Sequence, residues 1–281
     1  MEYRYRFGNV RLKIDSPFEI MNHGWSSIFL NDDKDTDYEI EIRIGDIKEI
    51  HDSCLVYQDR KTKVFSKEGV YVSHYRELNN DWLFQAEKHS QKMILTIKEQ
   101  ALKYAKDIRN IWPKIDFAGI MLDHAHLVLH ASYINWNGKG IVFCGPSGIG
   151  KTTQAMLWCT KGAELINGDR VLLSIKDDLM FHSIPFAGSS GVCLNRSSKP
   201  VAIVMLGQAL NNSICRLNLN EAIKVLYAQC GLKRWCIDDV NNTLNLLEQV
   251  YKKVPVYQLD CLPDQSAVSL LMNTFKKEDL L

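Results

Sequence analysis

The chain has 281 residues, with 34 Lys and Arg against 33 Asp and Glu for a formal charge of +1; 46% of residues are hydrophobic and 24% charged. That balance excludes disordered, collagen-like and low-complexity classes and supplies a core for one large domain or two ordinary ones. Near-neutral total charge gives no electrostatic footprint for nucleic acid, and no apolar run reaches the length of a membrane span, so neither partner is expected. Met1-Glu2-Tyr3-Arg4-Tyr5-Arg6 lacks the apolar core of a secretory signal. Eight scattered cysteines without a C-x-x-C pair read as reduced thiols, and a cytoplasmic protein is expected.

Residues 1–112 read as a β-rich accessory domain. Strands are predicted at Tyr3–Phe7, Val10–Ile14, Tyr38–Ile44, Gly69–Tyr75, Trp82–Glu87 and Met93–Ile97, punctuated by Gly8-Asn9, Asn31–Asp35 and Asn79-Asn80-Asp81. No motif there carries chemistry. Ala101, Leu102, Ala105 and Ile108 recur at helical spacing, Pro113 interrupts, and a helical pattern is predicted to resume over Phe117–Leu129. His130–Ile134 and Ile141–Cys144, joined by Asn137-Gly138-Lys139-Gly140, predict a hairpin with a loop longer than two residues.

Strands and helices alternate after Cys144. Helices are expected at Thr152–Thr160, Glu221–Cys230 and Val240–Val250, with strands near Leu165 and at Val171–Ile175, Val201–Leu206 and Pro255–Leu259. The fold class is therefore mixed, α+β leading into α/β, with a second domain over residues 113–281.

Within it, Gly145-Pro146-Ser147-Gly148-Ile149-Gly150-Lys151-Thr152 matches G-x-x-x-x-G-K-[ST] between a predicted strand and a predicted helix. Glycines let successive backbone N–H groups line one concavity for phosphate oxygens, and the helix start adds its positive dipole end. Lys151 would reach the outer phosphates, the Thr152 hydroxyl would join an Mg²⁺ shell, and Thr153 extends the nucleotide-binding set. A phosphate loop needs a second element for metal and nucleophile. Asp169, ending the apolar stretch Glu164-Leu165-Ile166-Asn167-Gly168, is the candidate: a metal ligand, a proton acceptor, or an ordinary turn aspartate.

Several other residues are weighed. His130 opens the hairpin strand leading to the loop and is either a phosphate-side residue or part of the core. His124 and His126 would share a face on a strand, but no third metal ligand stands near. Ser189-Ser190-Gly191 reads as an anion-binding turn or a flexible loop. Arg196, Lys199 and Arg216 read as meeting nucleotide phosphates or an acidic substrate, or as a solvated face. Lys233-Arg234-Trp235 reads as a cation–π contact or a surface loop.

His130-Ala131-Ser132, the hairpin-borne loop Gly145–Thr152 and Asn167-Gly168-Asp169-Arg170-Val171 together resemble HPr kinase/phosphorylase and the HPr-kinase-like proteins sharing the phosphoenolpyruvate carboxykinase nucleotide fold. Ile184–Gly188, Pro200–Leu206 and Val254–Leu259 resemble the same group, over roughly residues 115–275. The resemblance implies a C-terminal PEP-carboxykinase-like P-loop domain, with His130 beside the phosphates and ATP and Mg²⁺ as cofactors. It places Asp169 at the second of two adjacent family acids and Gly168 at the first, so one carboxylate must serve both roles or abandon one. The family's phosphorylase signature is not recognisable.

The reading is an ATP- and Mg²⁺-dependent kinase acting on a Ser or Thr hydroxyl of a peptide or small protein, with Asp169, Lys151 and His130 catalytic. The alternatives are a nucleotide-binding regulator or scaffold with little turnover, and a PEP-carboxykinase-like metabolic enzyme. Self-association is left open.

Overall fold

The computed structural model describes residues 1–22, 24–77, 80–176 and 178–281. Two compact units divide the chain, Met1–Ile120 and Met121–Leu281. Among the described residues, no helix is long and apolar enough to cross a membrane.

In the first unit eight strands form one sheet: β1 (Glu2–Phe7), β2 (Val10–Asp15), β3 (Tyr38–Ile44), β4 (Cys54–Gln58), β5 (Thr62–Lys67), β6 (Val70–Glu77), β7 (Asp81–Lys88) and β8 (Lys92–Ile97). Their order is β1-β2-β3-β8-β7-β6-β5-β4, with β3 parallel to both its neighbours. Alternation decides which face is covered: Val10, Leu12 and Ile14 of β2 are buried while Arg11 and Lys13 between them are not. Two short helices follow, α1 (Leu102–Ala105) and α2 (Ile108–Ile111). Trp112 packs edge-on against Tyr5 and Phe7, and its indole N–H donates to the Ser26 hydroxyl at 2.9 Å, so this buried ring leaves no polar atom unpaired.

All six strands predicted here are present. β4 and β5 were not anticipated: β4 is an edge strand with little burial, and it shows none of the alternation that marks the others. Asn79 of the predicted Asn79-Asn80-Asp81 turn lies outside the described residues.

The second unit begins within α3 (Phe117–Asp123). It continues with β9 (His126–Trp136), β10 (Lys139–Cys144), α4 (Lys151–Cys159), β11 (Glu164–Asn167), β12 (Arg170–Ser174), β13 (Met180–His182), β14 (Ser197–Gln208) and β15 (Ser213–Arg216). α5 (Leu219–Tyr227), α6 (Ile237–Lys253), β16 (Val256–Cys261) and α7 (Gln265–Lys277) complete it.

Two expectations need correction. The helix predicted over Phe117–Leu129 stops at Asp123; Ala125 takes a left-handed φ of 59°, and His126–Leu129 belong to β9. A short apolar run is read equally well by either period, and pairing of Leu127–Leu129 with β12 settles it as strand. The hairpin loop is also shorter than expected. Lys139 already pairs with Trp136, leaving Asn137 and Gly138 at φ of 51° and 84°, the two-residue type I′ turn that matches strand twist.

The strand order is β10-β9-β12-β13-β14-β16-β15, with β11 on β9 and a further parallel pairing of β10 to β14. β14 is buried on both faces. Ile203 and Met205 face a core shared with α5 and α6, while Ala202, Val204 and Leu206 face a second core shared with α4 and α7. Near-continuous apolar sequence in a parallel strand is the signature of such two-sided cover. β10, β14 and β16 run parallel, so their carboxyl ends lie along one edge of the sheet. That edge is where mixed α/β sheets place ligands, and the glycine-rich loop leaves β10 there.

Candidate functional site

The loop after β10 is built from glycine backbone. Gly145, Gly148 and Gly150 have φ of 146°, 81° and 108°, conformations that side-chain-bearing residues rarely adopt. α4 then starts at Lys151 with Gly150 as its N-cap and no capping side chain. Its first-turn N–H groups therefore have neither an intrahelical acceptor nor a side-chain one, and the dipole end of the helix is open to an anion. Lys151, 7% exposed, donates from Nζ to the Gly145 and Pro146 carbonyls at 2.9 and 3.0 Å. Burial pushes its ammonium below the usual lysine range, while the Asp169 carboxylate acts in the opposite sense.

Asp169 sits between β11 and β12, in a turn made by Asn167. The buried Asn167 Oδ1 accepts from the backbone N–H of Asp169 and of Arg170, both at 3.0 Å, while its Nδ2 donates to Ser183 Oγ at 3.1 Å and the Ile184 carbonyl at 2.8 Å. This Asx turn fixes the backbone carrying the carboxylate. His130, paired with Arg170 across β9 and β12, brings Nε2 to 3.5 Å from Asp169 Oδ1, and Arg170 Nε lies 3.3 Å from Oδ2. The hydrogen bond from His130 and the charge of Arg170 hold the Asp169 carboxyl below the usual carboxylate range against the opposing effect of burial. At neutral pH it is an anion.

Ser132 links the two halves. Its hydroxyl donates to the Gly168 carbonyl at 3.1 Å and lies 3.5 Å from Thr152 Oγ1. With the Ser132 proton committed to Gly168, Thr152 is the donor of that contact, which leaves the lone pairs of Oγ1 for an electrophile. A Cβ on Gly168 would stand 1.9 Å from Ser190 Oγ, and one on Gly188 would stand 2.8 Å from Asp169 Oδ1. The 3-10 turn Gly188–Ser190 thus closes over Gly168 and Asp169, and the volume a side chain at 168 would need is filled.

The structure brings the loop residues Gly145–Thr153, His130 and Asp169 to one end of the second unit. Ser132, Asn167 and Arg170 stand in the segments that carry the sequence resemblance, but the sequence assigns them no role. An Asn two residues before an Asp in a turn is a local signal for Asn167; Ser132 carries none, because its partners are set by pairing across the sheet. Of the other candidates, Ser190 of the Ser189-Ser190-Gly191 turn lies against Gly168, and the following fall elsewhere. His124 lies in the turn after α3 and His126 in β9, so they do not share a strand face; the His126 ring Nδ1 is 2.7 Å from the His124 carbonyl oxygen. Arg196 pairs with Glu164, Arg216 with Glu278, and Arg234 lies over the Tyr227 ring.

Thr152 Oγ1 and the Asp169 carboxylate are hard oxygen donors of the kind magnesium takes, one or two from protein and the rest from water and phosphate. Among the described residues, no cluster of three His, Cys, Asp or Glu forms a protein-only metal cage. The Thr152 and Asp169 oxygens are a donor pair that a magnesium–nucleotide complex, completed by phosphate and water, could use.

Neither a protein-family model nor a curated protein matches the sequence. Among solved structures, the chain is similar to the Hpr(Ser) kinase/phosphatase from Coxiella burnetii, with 12% identity and a TM-score of 0.31 over 54% of this chain and 95% of that one.

Proposed function

We propose that the protein is an ATP- and magnesium-dependent phosphotransferase whose acceptor is a Ser or Thr hydroxyl of a peptide or small protein. The observation that carries this reading is the junction made by Ser132. It ties Thr152, at the start of the phosphate loop helix, to Gly168, next to an Asp169 carboxylate held ionised by His130 and Arg170.

In this reading the loop N–H groups and the α4 terminus hold the phosphates, and Lys151 turns from the Gly145 and Pro146 carbonyls to the outer phosphate oxygens. Thr152 and Asp169 would hold the magnesium that accompanies ATP, which would supply neutralisation of phosphate charge. Asp169 accepts the acceptor hydroxyl's proton at Oδ1 or Oδ2, and His130 stabilises the carboxylate between turnovers. Positioning and charge stabilisation supply most of the rate, since phosphoryl transfer asks for little covalent help.

A second reading is favoured by one observation: the space beside Gly168 is occupied by Ser190, so the chain holds a single carboxylate where the resemblance implies two. That suits a nucleotide-binding regulator with slow turnover. Labelled γ-phosphate offered with magnesium and a Ser/Thr peptide pool decides between the two. A kinase labels a peptide hydroxyl, and Asp169→Asn cuts the rate by about 10²–10⁴ while ADP still binds. Retained ADP binding with no labelled peptide from either protein would leave the regulator.

A further inference from the structure

Several of the chain's own hydroxyls stand around Asp169, and they differ in what holds them. Ser132 donates to the Gly168 carbonyl and Thr152 donates to Ser132. Ser190 donates to the Ala187 carbonyl at 2.7 Å and accepts from the Val192 N–H at 3.2 Å. Ser189 is the exception. It is exposed in the middle of the turn Gly188–Ser190, and among the described residues its hydroxyl has no hydrogen-bond partner.

Both neighbours of Ser189 are fixed against the site. A Cβ on Gly188 would stand 2.7 Å from Asp169 Cβ and 2.8 Å from Asp169 Oδ1, so the backbone entering Ser189 packs on the carboxylate side chain. Ser190 fills the space beside Gly168, and the Gly168 carbonyl is joined through the Ser132 hydroxyl to Thr152 at the head of α4. The free hydroxyl is therefore tethered one residue from the proton acceptor, on a turn linked to the start of the phosphate-loop helix.

We infer that Ser189 is an intramolecular phosphoryl acceptor, so that the protein phosphorylates itself on this turn. Ser189 Oγ forms a bond to the γ-phosphorus, the bond from that phosphorus to the β–γ bridging oxygen breaks, ADP leaves, and the hydroxyl proton passes to Asp169. Tethering replaces the binding of a second substrate, which is the entropic advantage of an intramolecular reaction. Ser189 gives up no protein hydrogen bond in reacting, whereas Ser132, Thr152 and Ser190 each would. The product phosphoserine carries about −1.5 to −2 charges at neutral pH, and Arg170, with Nε 3.3 Å from Asp169 Oδ2, supplies a counter-charge beside the same turn. The inference rests on the kinase reading above and adds to it a named acceptor within the chain.

The full chain incubated with magnesium and γ-labelled ATP, without peptide, is digested and the phosphate mapped by mass spectrometry. A parallel incubation contains the Ser/Thr peptide pool. Ser189 should carry the phosphate, at a first-order rate that stays within twofold over a tenfold range of protein concentration. Ser189→Ala should lose at least nine-tenths of the self-label without a fall in melting temperature, because its hydroxyl bonds to nothing. Ser189→Thr should restore self-labelling, now as phosphothreonine at the same position. Labelled peptide with no labelled protein, label at another residue, or a rate that rises with protein concentration refutes the intramolecular acceptor and leaves the kinase reading standing. No label on protein or peptide overturns the kinase reading, and the inference falls with it.

Discussion

Gly168→Ala is the sharpest probe of how the site is assembled. Gly168 is not among the glycines with positive φ, so the backbone accepts alanine and any cost must come from space. The new Cβ would lie 1.9 Å from Ser190 Oγ and 2.4 Å from Ser190 Cβ, distances no real contact shows. Rotating Ser190 away gives up its bond to the Ala187 carbonyl at 2.7 Å and the one it accepts from the Val192 N–H at 3.2 Å. Moving the 168 backbone instead strains its bonds to Ser132 Oγ and the Val192 carbonyl. Overpacking of this kind costs about 1–3 kcal/mol, and the lost hydrogen bonds place the expectation near the top of that range. For a unit of this size that is a fall of about 4–10 °C in the second unit's melting transition, read by circular dichroism. Adding Ser190→Gly should restore about 1 kcal/mol, which a double-mutant cycle detects as coupling. A loss under about 0.5 kcal/mol in Gly168→Ala, or no coupling to Ser190, would refute the packing of the 188–190 turn described above.

Asn167→Ala removes five side-chain hydrogen bonds, one of them to Cys193 Sγ at 3.6 Å, at a fully buried position, so it should cost about 3 kcal/mol in urea unfolding and lower any transfer rate at least tenfold by releasing the Asp169 backbone. Lys151→Met should weaken ADP binding at least tenfold in titration. It should change stability by less than about 1 kcal/mol, because the two carbonyl bonds it loses are offset by no longer burying an ammonium. Burial and the nearby His126 push His182 down to about 4. Between that value and the unfolded-state pKa of about 6.5 the unfolded chain binds more protons, so stability falls as pH drops through this window, by about 3 kcal/mol at its foot. His182→Phe should flatten that slope in urea titrations at pH 7, 5.5 and 4.5.

Much of the second unit could be read in advance because its signals are local. The glycine spacing of 145–150, the apolar runs of β10 and β14, and the existence of the hairpin around Asn137-Gly138, though not its two-residue turn, each need only a few neighbouring residues to be recognised. α7 is absent from the predicted elements, although Asp264 caps it and Ala267, Val268, Leu271 and Phe275 fall at helical spacing, a pattern the sequence carries locally. β13 and β15 are different. Each is three or four residues long, and neighbouring strands complete their hydrogen bonds. The candidate site divides in the same way. Lys151 and Asp169 stand in recognisable segments, whereas Ser132 gains its meaning from what the folded sheet sets opposite it.

The parallel trio β10, β14 and β16 bears on the order in which the molecule acquires its parts. The β9–β10 hairpin closes through a two-residue turn and needs no distant segment. Pairing Cys144 with Met205, and then Met205 with Gln258, requires two large chain closures. Contacts between remote segments form more slowly than local ones. The glycine-rich loop can therefore be present in outline early, whereas the cleft beside it is complete only once β14 and β16 have docked.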